Sequence, residues 1–215
     1  DLFLDILSSK SWDEISQLIQ NTSESDVRRV LSQNTMLRPE DFAVLISPAA
    51  QPFLEEMAAR SVQLTRKRFG NTIQIYAPLY LSNECQNICT YCGFSLTNKI
   101  PRKTLTDKEI LAEVEILKSR GIDHVLLVTG EANKTVGVDY IGKAIELIQP
   151  YFTNISIEVQ PLEEEEYKFL IDKGLYSVLV YQETYHKENY KKFHTKGKKS
   201  NFDYRLDTPD RLGRA

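Results

Sequence analysis

Three cysteines lie within eight residues of one another, and they are the only cysteines of the 215-residue chain. Cys85, Cys89 and Cys92 have the spacing C-x3-C-x2-C. Thiolates are soft ligands that suit iron–sulfur clusters or zinc. Three thiolates on one loop can hold three irons of a cubane cluster and leave the fourth iron without a protein ligand.

Other uses of these cysteines remain open at this point. A structural zinc site needs a fourth ligand, and the three histidines of the chain, His124, His186 and His194, are distant in sequence. Three inert buried thiols would not explain the clustering. A disulfide is disfavoured if the protein works in a reducing compartment, as the next observations indicate.

The composition is that of a globular protein. Hydrophobic residues make up 41% of the chain and charged residues 27%, which predicts a packed core rather than disorder. The 27 basic and 30 acidic residues give a net charge of −3, which argues against a nucleic-acid partner. No apolar run approaches the roughly 20 residues of a membrane span, and the N-terminus lacks a signal-peptide pattern. We therefore expect a cytoplasmic protein with no nucleic-acid or membrane partner.

The first 70 residues are predicted to be helical. Ser11–Glu14 form a capping box at a helix start, a second helix is predicted over about 24–32, and a third begins near Pro39. A longer helix then runs toward Phe69. The sequence therefore predicts a helical N-terminal extension over residues 1–70.

Strand and helix patterns alternate after residue 70. Strands are predicted over 73–81, 124–129, 155–160 and 177–182, and helices over 106–121, 139–149 and 162–173. This alternation implies parallel strands with right-handed crossovers. A closed eight-unit barrel needs roughly 250 residues, so residues 71–215 are expected to form only about the first half of a βα barrel, cut short at its C-terminal side.

Several segments resemble the radical S-adenosylmethionine (SAM) enzymes. Residues 83–95 carry the three cysteines with an aromatic residue, Tyr91, just before the last of them, as in the signature of those enzymes. The whole set of segments is similar to the ThiH family of tyrosine lyases, the 2-iminoacetate synthases: 83–95, 98–105, 126–131, 158–162, 180–186 and 204–215. The related HydG maturases have similar motifs.

The resemblance implies an α/β fold, the radical-SAM-type TIM barrel, with a [4Fe-4S] cluster and S-adenosyl-L-methionine as cofactors. It implies a carbon–carbon lyase that cleaves the Cα–Cβ bond of L-tyrosine through a 5′-deoxyadenosyl radical, giving 2-iminoacetate (dehydroglycine) and p-cresol for thiamine thiazole biosynthesis. A flavodoxin- or ferredoxin-type reductant and a ThiG-like thiazole synthase are the implied partners. The alternatives are a HydG-like tyrosine lyase of hydrogenase cluster maturation and a non-enzymatic metal-binding module.

Candidate cofactor residues lie at the ends of the predicted strands, where barrel enzymes place their active sites. Gly130 lets a ligand approach the backbone, and the carboxylate of Glu131 can pair with an ammonium group. By resemblance, this turn receives the amino group of SAM. Glu158 and Gln160 share one face of the third strand, and the resemblance assigns the ribose hydroxyls to Glu158. The alternatives are a surface Glu131 and a Glu158 that faces helices or solvent.

The fourth strand and the segment after it supply further candidates. Gln182 continues the parity of Val178 and Val180, which predicts a position at the rim of the pocket. Similarity to other radical SAM enzymes suggests that Thr184 positions the methionine moiety. Arg205 can grip a carboxylate with two hydrogen bonds, and the resemblance assigns it the methionyl carboxylate. A surface ion pair is the alternative for this arginine.

Aromatic residues flank the last cysteine. Tyr91 and Phe94 are expected to bracket adenine, through ring stacking and backbone hydrogen bonds. The alternative, that they pack under the loop, is compatible with that role. His186, near the rim of the fourth strand, is compatible with substrate contact or with a structural hydrogen bond. The segment Lys196–Lys199 is predicted to be a basic, flexible loop. We expect it to be solvated, and the alternatives are a loop that closes over the site or one that faces a partner.

Overall fold

The computed structural model describes residues 2–215, and their contacts divide them into two compact units. One unit comprises Asp5–Ile73, and the other comprises Leu2–Leu4 together with Gln74–Ala215. Each unit has a hydrophobic core of its own. Among the described residues, no helix is both long enough and apolar enough to cross a membrane.

The N-terminal region is helical. Its elements are α1 (Phe3–Ser8), α2 (Trp12–Asn21), α3 (Glu24–Leu31), α4 (Pro39–Leu45), a 3-10 helix (Pro48–Phe53) and α5 (Leu54–Phe69). The core of the first unit contains Val27 and Val30 of α3, which are fully buried, and Phe53. Arg60 of α5 donates hydrogen bonds to two backbone carbonyls at and beyond the end of α3, which fixes α5 against α3.

The second unit is built on a parallel sheet. The strands are β1 (Tyr76–Ser82), β2 (Ile88–Cys89), β3 (His124–Thr129), β4 (Asn154–Glu158), β5 (Leu175–Val178) and β6 (His194–Lys196). Strands β1, β3, β4 and β5 pair in parallel in the order in which they follow one another in the chain. They are connected by α6 (Asp107–Ser119), α7 (Val138–Ile148) and α8 (Glu164–Asp172). Sequential order is the order of a βα barrel, because a doubly wound sheet reverses direction at a switch point.

The segment after β5 contains more structure than the sequence predicted. It comprises α9 (Lys187–Phe193), strand β6, a 3-10 helix (Lys198–Ser200), α10 (Phe202–Leu206) and α11 (Thr208–Arg214). Lys196 and Lys198 are exposed to solvent, as expected. The prediction of a flexible loop is wrong, because Lys196 belongs to β6, which pairs antiparallel with β2, and Lys198 and Lys199 belong to the 3-10 helix. The two strands are far apart in sequence, and no local periodicity reveals such a pairing.

Strands β4 and β5 end earlier than predicted. β4 ends at Glu158 and β5 at Val178. Gly174, with φ of 101°, closes α8 in a conformation that favours glycine, and β5 begins at the next residue. Gln160 and Gln182 therefore follow their strands, so strand alternation does not determine where their side chains point.

The two faces of the sheet have different surroundings. Ile155 and Ile157 of β4 are buried in a core shared with α6, α7 and α8. Side chains of the opposite parity lie on the other face of the sheet. There, Tyr80, Val128 and Glu158 form one cross-strand row, because Tyr80 pairs with Val128 and Val128 pairs with Glu158. This row is the part of the sheet that faces the site.

Candidate functional site

A cavity lies at the C-terminal ends of the parallel strands. Its lining combines the cross-strand row with the cysteine loop and with residues late in the chain: Tyr80, Cys85, Asn87, Cys89, Tyr91, Cys92, Phe94, Val128, Thr129, Gly130, Glu131, Glu158, Val159, Glu183, Lys199 and Arg205. Ligands of open and closed parallel βα sheets bind at this edge. The structure thus brings together all the predicted site residues except Gln160, Gln182 and Thr184.

The three cysteines are free thiols. Cys89 is buried, whereas Cys85 and Cys92 are partly exposed. Burial raises the pKa of Cys89 to about 11, with Lys199 acting in the opposite direction and the other two cysteines adding to the rise. The Cys89 thiol is therefore protonated near neutral pH, and binding to iron as a thiolate releases its proton.

The number of thiols suits a cubane cluster. Among residues 2–215, no three His, Cys, Asp or Glu side chains are grouped closely enough to hold one metal ion. A cubane cluster has a different requirement, because each thiolate binds a different iron and the sulfurs need not converge on one point. Three free thiols around one cavity fit three irons and leave the fourth for a ligand in the cavity.

The turn after β3 packs tightly against the start of the cysteine loop. A Cβ on Gly130 would lie 2.2 Å from the carbonyl oxygen of Glu84 and 3.1 Å from the Cβ of Cys85, so only glycine fits. Beside it, the hydroxyl of Thr129 is buried without a hydrogen-bond partner among the described residues, and this side chain lines the cavity. Buried polar groups usually have a partner, so this unpaired hydroxyl is an exception beside the cavity.

Glu131 and Arg205 form a buried ion pair in the cavity wall. Nη1 of Arg205 donates to Oε1 of Glu131 at 2.6 Å, and the residues are only 5% and 7% exposed. Neither is therefore the surface group that was the alternative from the sequence. Nε of Arg205 also donates to the carbonyl of Tyr181 at 2.6 Å. The pair presents one negative and one positive charge, which complements the ammonium and carboxylate of an α-amino acid.

Two more carboxylates line the cavity. Glu158 faces it from the end of β4, and burial raises the pKa of this side chain, while Lys199 opposes the rise. Glu183 has a φ of 67°, and its carboxylate accepts from Lys199 Nζ at 2.7 Å. Burial alone would raise the pKa of Glu183, but the hydrogen bond and charge of Lys199, together with smaller effects of Tyr91 and Arg205, lower it. Glu158 is therefore the less strongly paired acceptor of the two.

Three predicted site residues do not line the cavity. Gln160 is buried and donates to a backbone carbonyl at 2.8 Å, and its Oε1 has no partner among the described residues. The side-chain amide of Gln182 donates to the carbonyl of Phe202 at 3.4 Å. The hydroxyl of Thr184 accepts from the backbone N–H of His186 at 3.2 Å. The first two side chains hold loops in place, and Thr184 stabilises the turn before α9.

His194 is a site neighbour that the sequence did not reveal. Its Nδ1 lies 2.8 Å from the Tyr190 carbonyl, which can only accept, so Nδ1 carries a proton. Burial lowers the pKa of His194, although the bond to Tyr190 acts the other way, so the ring is neutral and its Nε2 accepts. The hydroxyl of Tyr91 is 2.7 Å from that nitrogen. The Tyr91 ring is 52% exposed and remains open to the cavity.

Asn87 joins the cysteine loop to both neighbouring segments. Its Nδ2 donates to Glu131 at 2.9 Å, and its Oδ1 accepts from the backbone N–H of Lys199 at 3.0 Å. Gly197 has a φ of 93°, and a Cβ there would lie 2.2 Å from Asn87 Oδ1. An asparagine between two cysteines was a signal available in the sequence. The position of Lys199 in the cavity lining agrees with the alternative that its loop closes over the site, whereas nothing local pointed to Gly197.

A parallel βα sheet in sequential order, with three free thiols lining a cavity at its C-terminal edge, is the arrangement expected of a barrel-class iron–sulfur protein. The family model of the Radical SAM superfamily matches residues 79–215, and the chain belongs to this superfamily. The predicted cofactors, a [4Fe-4S] cluster and S-adenosylmethionine, are those of the superfamily, and three free thiols around one cavity supply the ligands that such a cluster needs.

Individual relatives are consistent with this assignment. The chain is 48% identical over 213 residues to the 2-iminoacetate synthase of Escherichia coli (strain K12), covering 99% of this chain and 56% of that protein. It is 28% identical over 160 residues to the 3-methylornithine synthase of Methanosarcina barkeri (strain Fusaro / DSM 804), covering 73% of this chain and 45% of that protein. The predicted resemblance to the 2-iminoacetate synthases is confirmed.

A solved structure confirms the fold class. The crystal structure of HydG, a maturase of the [FeFe]-hydrogenase, superposes with a TM-score of 0.88 at 30% identity, covering 94% of this chain and 47% of that chain. The chain therefore forms part of a radical-SAM-type barrel, as predicted. It spans about half the length of the curated relatives it matches.

Proposed function

We propose that the chain is part of a radical SAM lyase that cleaves L-tyrosine at the Cα–Cβ bond, giving 2-iminoacetate and p-cresol for thiazole biosynthesis. The observation that carries this proposal is the 48% identity, over 99% of the chain, to a 2-iminoacetate synthase. The cavity supports it, because it combines cluster ligands with charged groups suited to an amino acid.

Different residues of the chain bind the two cofactors. When bound, the cluster and SAM supply the one-electron cleavage of a carbon–sulfur bond that yields a 5′-deoxyadenosyl radical. Cys85, Cys89 and Cys92 hold three irons. Glu131 and Arg205 receive the amino and carboxylate groups of the methionyl moiety, each exchanging part of its contact with the other for a contact with the ligand.

The remaining lining residues orient the nucleoside. Glu158 accepts from the ribose hydroxyls, because its carboxylate faces the cavity and is less strongly paired than Glu183. Tyr91 and Phe94 bracket adenine, and the Tyr91 ring is held in place through its hydroxyl. Thr129 lines the cavity beside Gly130. The packed sheet beneath keeps water from one side of the reacting groups.

The partners follow from the chemistry of the proposed reaction. Tyrosine is the substrate, and a flavodoxin- or ferredoxin-type protein supplies the electron. Dehydroglycine hydrolyses readily, so a ThiG-like thiazole synthase receives it directly. A cytoplasmic location suits free thiols and a low-potential cluster.

The test is anaerobic reconstitution of the full-length protein, followed by assay for 5′-deoxyadenosine and p-cresol. Replacing Cys85, Cys89 or Cys92 with alanine should abolish both products. Thr90→Ala is the matched control in the same loop, because the Thr90 side chain is exposed and only its backbone bonds to the Phe193 carbonyl. Deoxyadenosine without p-cresol would reject tyrosine as the substrate.

A HydG-like lyase is the second candidate. The TM-score of 0.88 with HydG favours it, although the identity is lower than with the 2-iminoacetate synthase. A second cysteine motif elsewhere in the full-length protein would select this candidate. About one zinc per chain without sulfide in the anaerobic protein would instead support a non-enzymatic metal-binding module.

A further inference from the structure

Residues 98–104, the clasp segment, directly follow the cysteine loop and have no part in the proposed reaction. They connect the loop to α6 and contain Asn98, Arg102 and Thr104. The segment is mostly irregular, yet the side chains of these three residues all form hydrogen bonds. Those bonds converge on the backbone of the cysteine loop.

Arg102 binds both ends of the cysteine loop at once. Its Nη1 donates to the carbonyl of Asn83, where the loop begins, at 2.6 Å, and to that of Phe94 at 2.9 Å. Its Nη2 donates to the carbonyls of Ser95 at 2.8 Å and of Asn98 at 3.3 Å, where the loop ends. One half-buried guanidinium therefore closes the segment with the three cysteines into a ring.

Two asparagines extend this connection. Nδ2 of Asn98 donates to the carbonyls of Cys92 at 3.1 Å and Gly93 at 3.0 Å, so the last cysteine ligand is held through its own backbone. Asn83 pairs with the clasp segment in return, accepting from the backbone N–H of Lys103 at 2.7 Å. The start of the loop, the end of the loop and the clasp segment are thus joined to one another.

The chemistry of the guanidinium suits this task. All four acceptors of Arg102 are backbone carbonyls, so the position of the side chain depends on the conformation of the loop. The planar fork of the guanidinium directs its N–H donors to acceptors on two sides at once. The ammonium of a lysine is a compact charge and has no such fixed arrangement of donors. Outer-shell residues, which orient metal ligands through hydrogen bonds without binding the metal, strongly affect metal affinity.

We propose that Arg102 is a positioning residue that closes the cysteine loop and thereby sets the arrangement of Cys85, Cys89 and Cys92 for the cluster. The proposal rests on the cysteine loop being the cluster site and is independent of which substrate is cleaved. Arg102 acts through the backbone of the loop and does not line the cavity.

Two variants of the full-length protein separate the shape of the side chain from its charge. Arg102→Lys keeps the charge and loses the fork, and Arg102→Gln loses both. Lys103→Gln is the matched control, because Lys103 is adjacent and exposed, and its side chain bonds to Glu109 on α6 instead of to the loop. If charge alone mattered, Arg102→Lys would behave like the unaltered protein.

Cluster retention and loop protection are the readouts, and neither requires tyrosine. Both Arg102 variants should release iron to a chelator about tenfold faster than the unaltered protein and Lys103→Gln, in line with the effects of outer-shell residues elsewhere. In the metal-free protein, amide exchange should rise over residues 83–98 and stay unchanged in β3 and β4. The electron paramagnetic resonance change that SAM causes in the reduced cluster should be altered in both Arg102 variants.

Unaltered iron release in both Arg102 variants would overturn the proposal. So would an equal rise of exchange in β3, β4 and the loop, because that result describes general destabilisation. Normal cluster retention without p-cresol formation in the unaltered protein would reject the tyrosine lyase, and the role of Arg102 would be unaffected.

Discussion

Gly130 is the point at which the end of β3 meets the cysteine loop. The backbone of Glu84 occupies the space that any side chain at this position would need. Backbone atoms cannot rotate away as a flexible side chain can, so a larger residue must displace either β3 or the loop. The close approach therefore couples the sheet to the cluster ligands.

Gly130→Ala should impair the cluster site. The added Cβ would lie 2.2 Å from the Glu84 oxygen, which forces the loop away from β3. We expect about a tenfold loss in iron affinity, measured as iron and sulfide per chain after anaerobic reconstitution. Gly93→Ala is the control within the same loop, because nothing lies within 4 Å of its Cβ position. Equal iron contents in the two variants would show that the contact is not limiting.

At the residue scale, the sequence predicted the members of the site better than their partners. The cysteine spacing, Glu131 and Arg205 could be found from residue type and motif. Their contacts could not, because Glu131 and Arg205 are 74 residues apart and only the fold brings them together. Gln160 and Gln182 were misplaced because their directions were taken from strand alternation beyond the actual ends of β4 and β5.

Helix α6 begins with a capping box, and its glutamate also contacts the exposed side chain of Lys103. Glu109 accepts from the amide and hydroxyl of Thr106 and from Nζ of Lys103. The bond from Lys103, followed by those from Thr106, lowers the pKa of Glu109 to about 2. The carboxylate therefore stabilises the start of the helix in its ionised form.

Glu109→Gln should lower the free energy of unfolding at pH 6 and have a smaller effect at pH 3. The folded pKa lies below the value of about 4.3 in an unfolded chain, so the stabilisation is present above that pH and is lost as the pH falls toward 2. Urea unfolding of the metal-free protein at both pH values measures the difference. Glu113→Gln, an exposed position on the same helix, should show no such pH dependence. A constant difference for Glu109→Gln would contradict the assigned cause.

At the element scale, locally encoded elements were predicted and long-range ones were not. Strand β3 was predicted over 124–129 and is found there, because its apolar run is bounded by Gly121 and Gly130. The pairing of β2 with β6 was missed, since two- and three-residue strands carry no readable periodicity. The parallel sheet itself follows from the alternation of strands and helices between β1 and β5.

The described part of the molecule has two separate cores. Val27, Val30 and Phe53 belong to the core of the first unit, whereas the sheet and its three crossover helices form the core of the second. All the cavity residues belong to the second unit. Cluster binding is therefore expected to stabilise the second unit directly.

Removing iron from the reconstituted protein with a chelator should have a local effect. Amide exchange should increase over the cysteine loop and over His194–Lys199, which pair with each other. The amides of α3, around Val27 and Val30, should keep their protection, because they belong to the other core. Hydrogen exchange measured by mass spectrometry tests this expectation. An equal loss of protection in both regions would mean that the two cores unfold together.

The order of the site residues along the chain has a consequence for biosynthesis. The cysteines are complete by residue 92, but Arg205, which binds Glu131 in the cavity wall, is made only later. At 5–20 residues per second, a ribosome needs on the order of ten seconds to cover that interval. Throughout this time the nascent polypeptide carries three thiols without their finished surroundings. A cluster inserted before translation has passed Arg205 would lack part of the cavity wall and would be exposed to oxygen. We therefore expect the cluster to be inserted after translation of the site residues is complete.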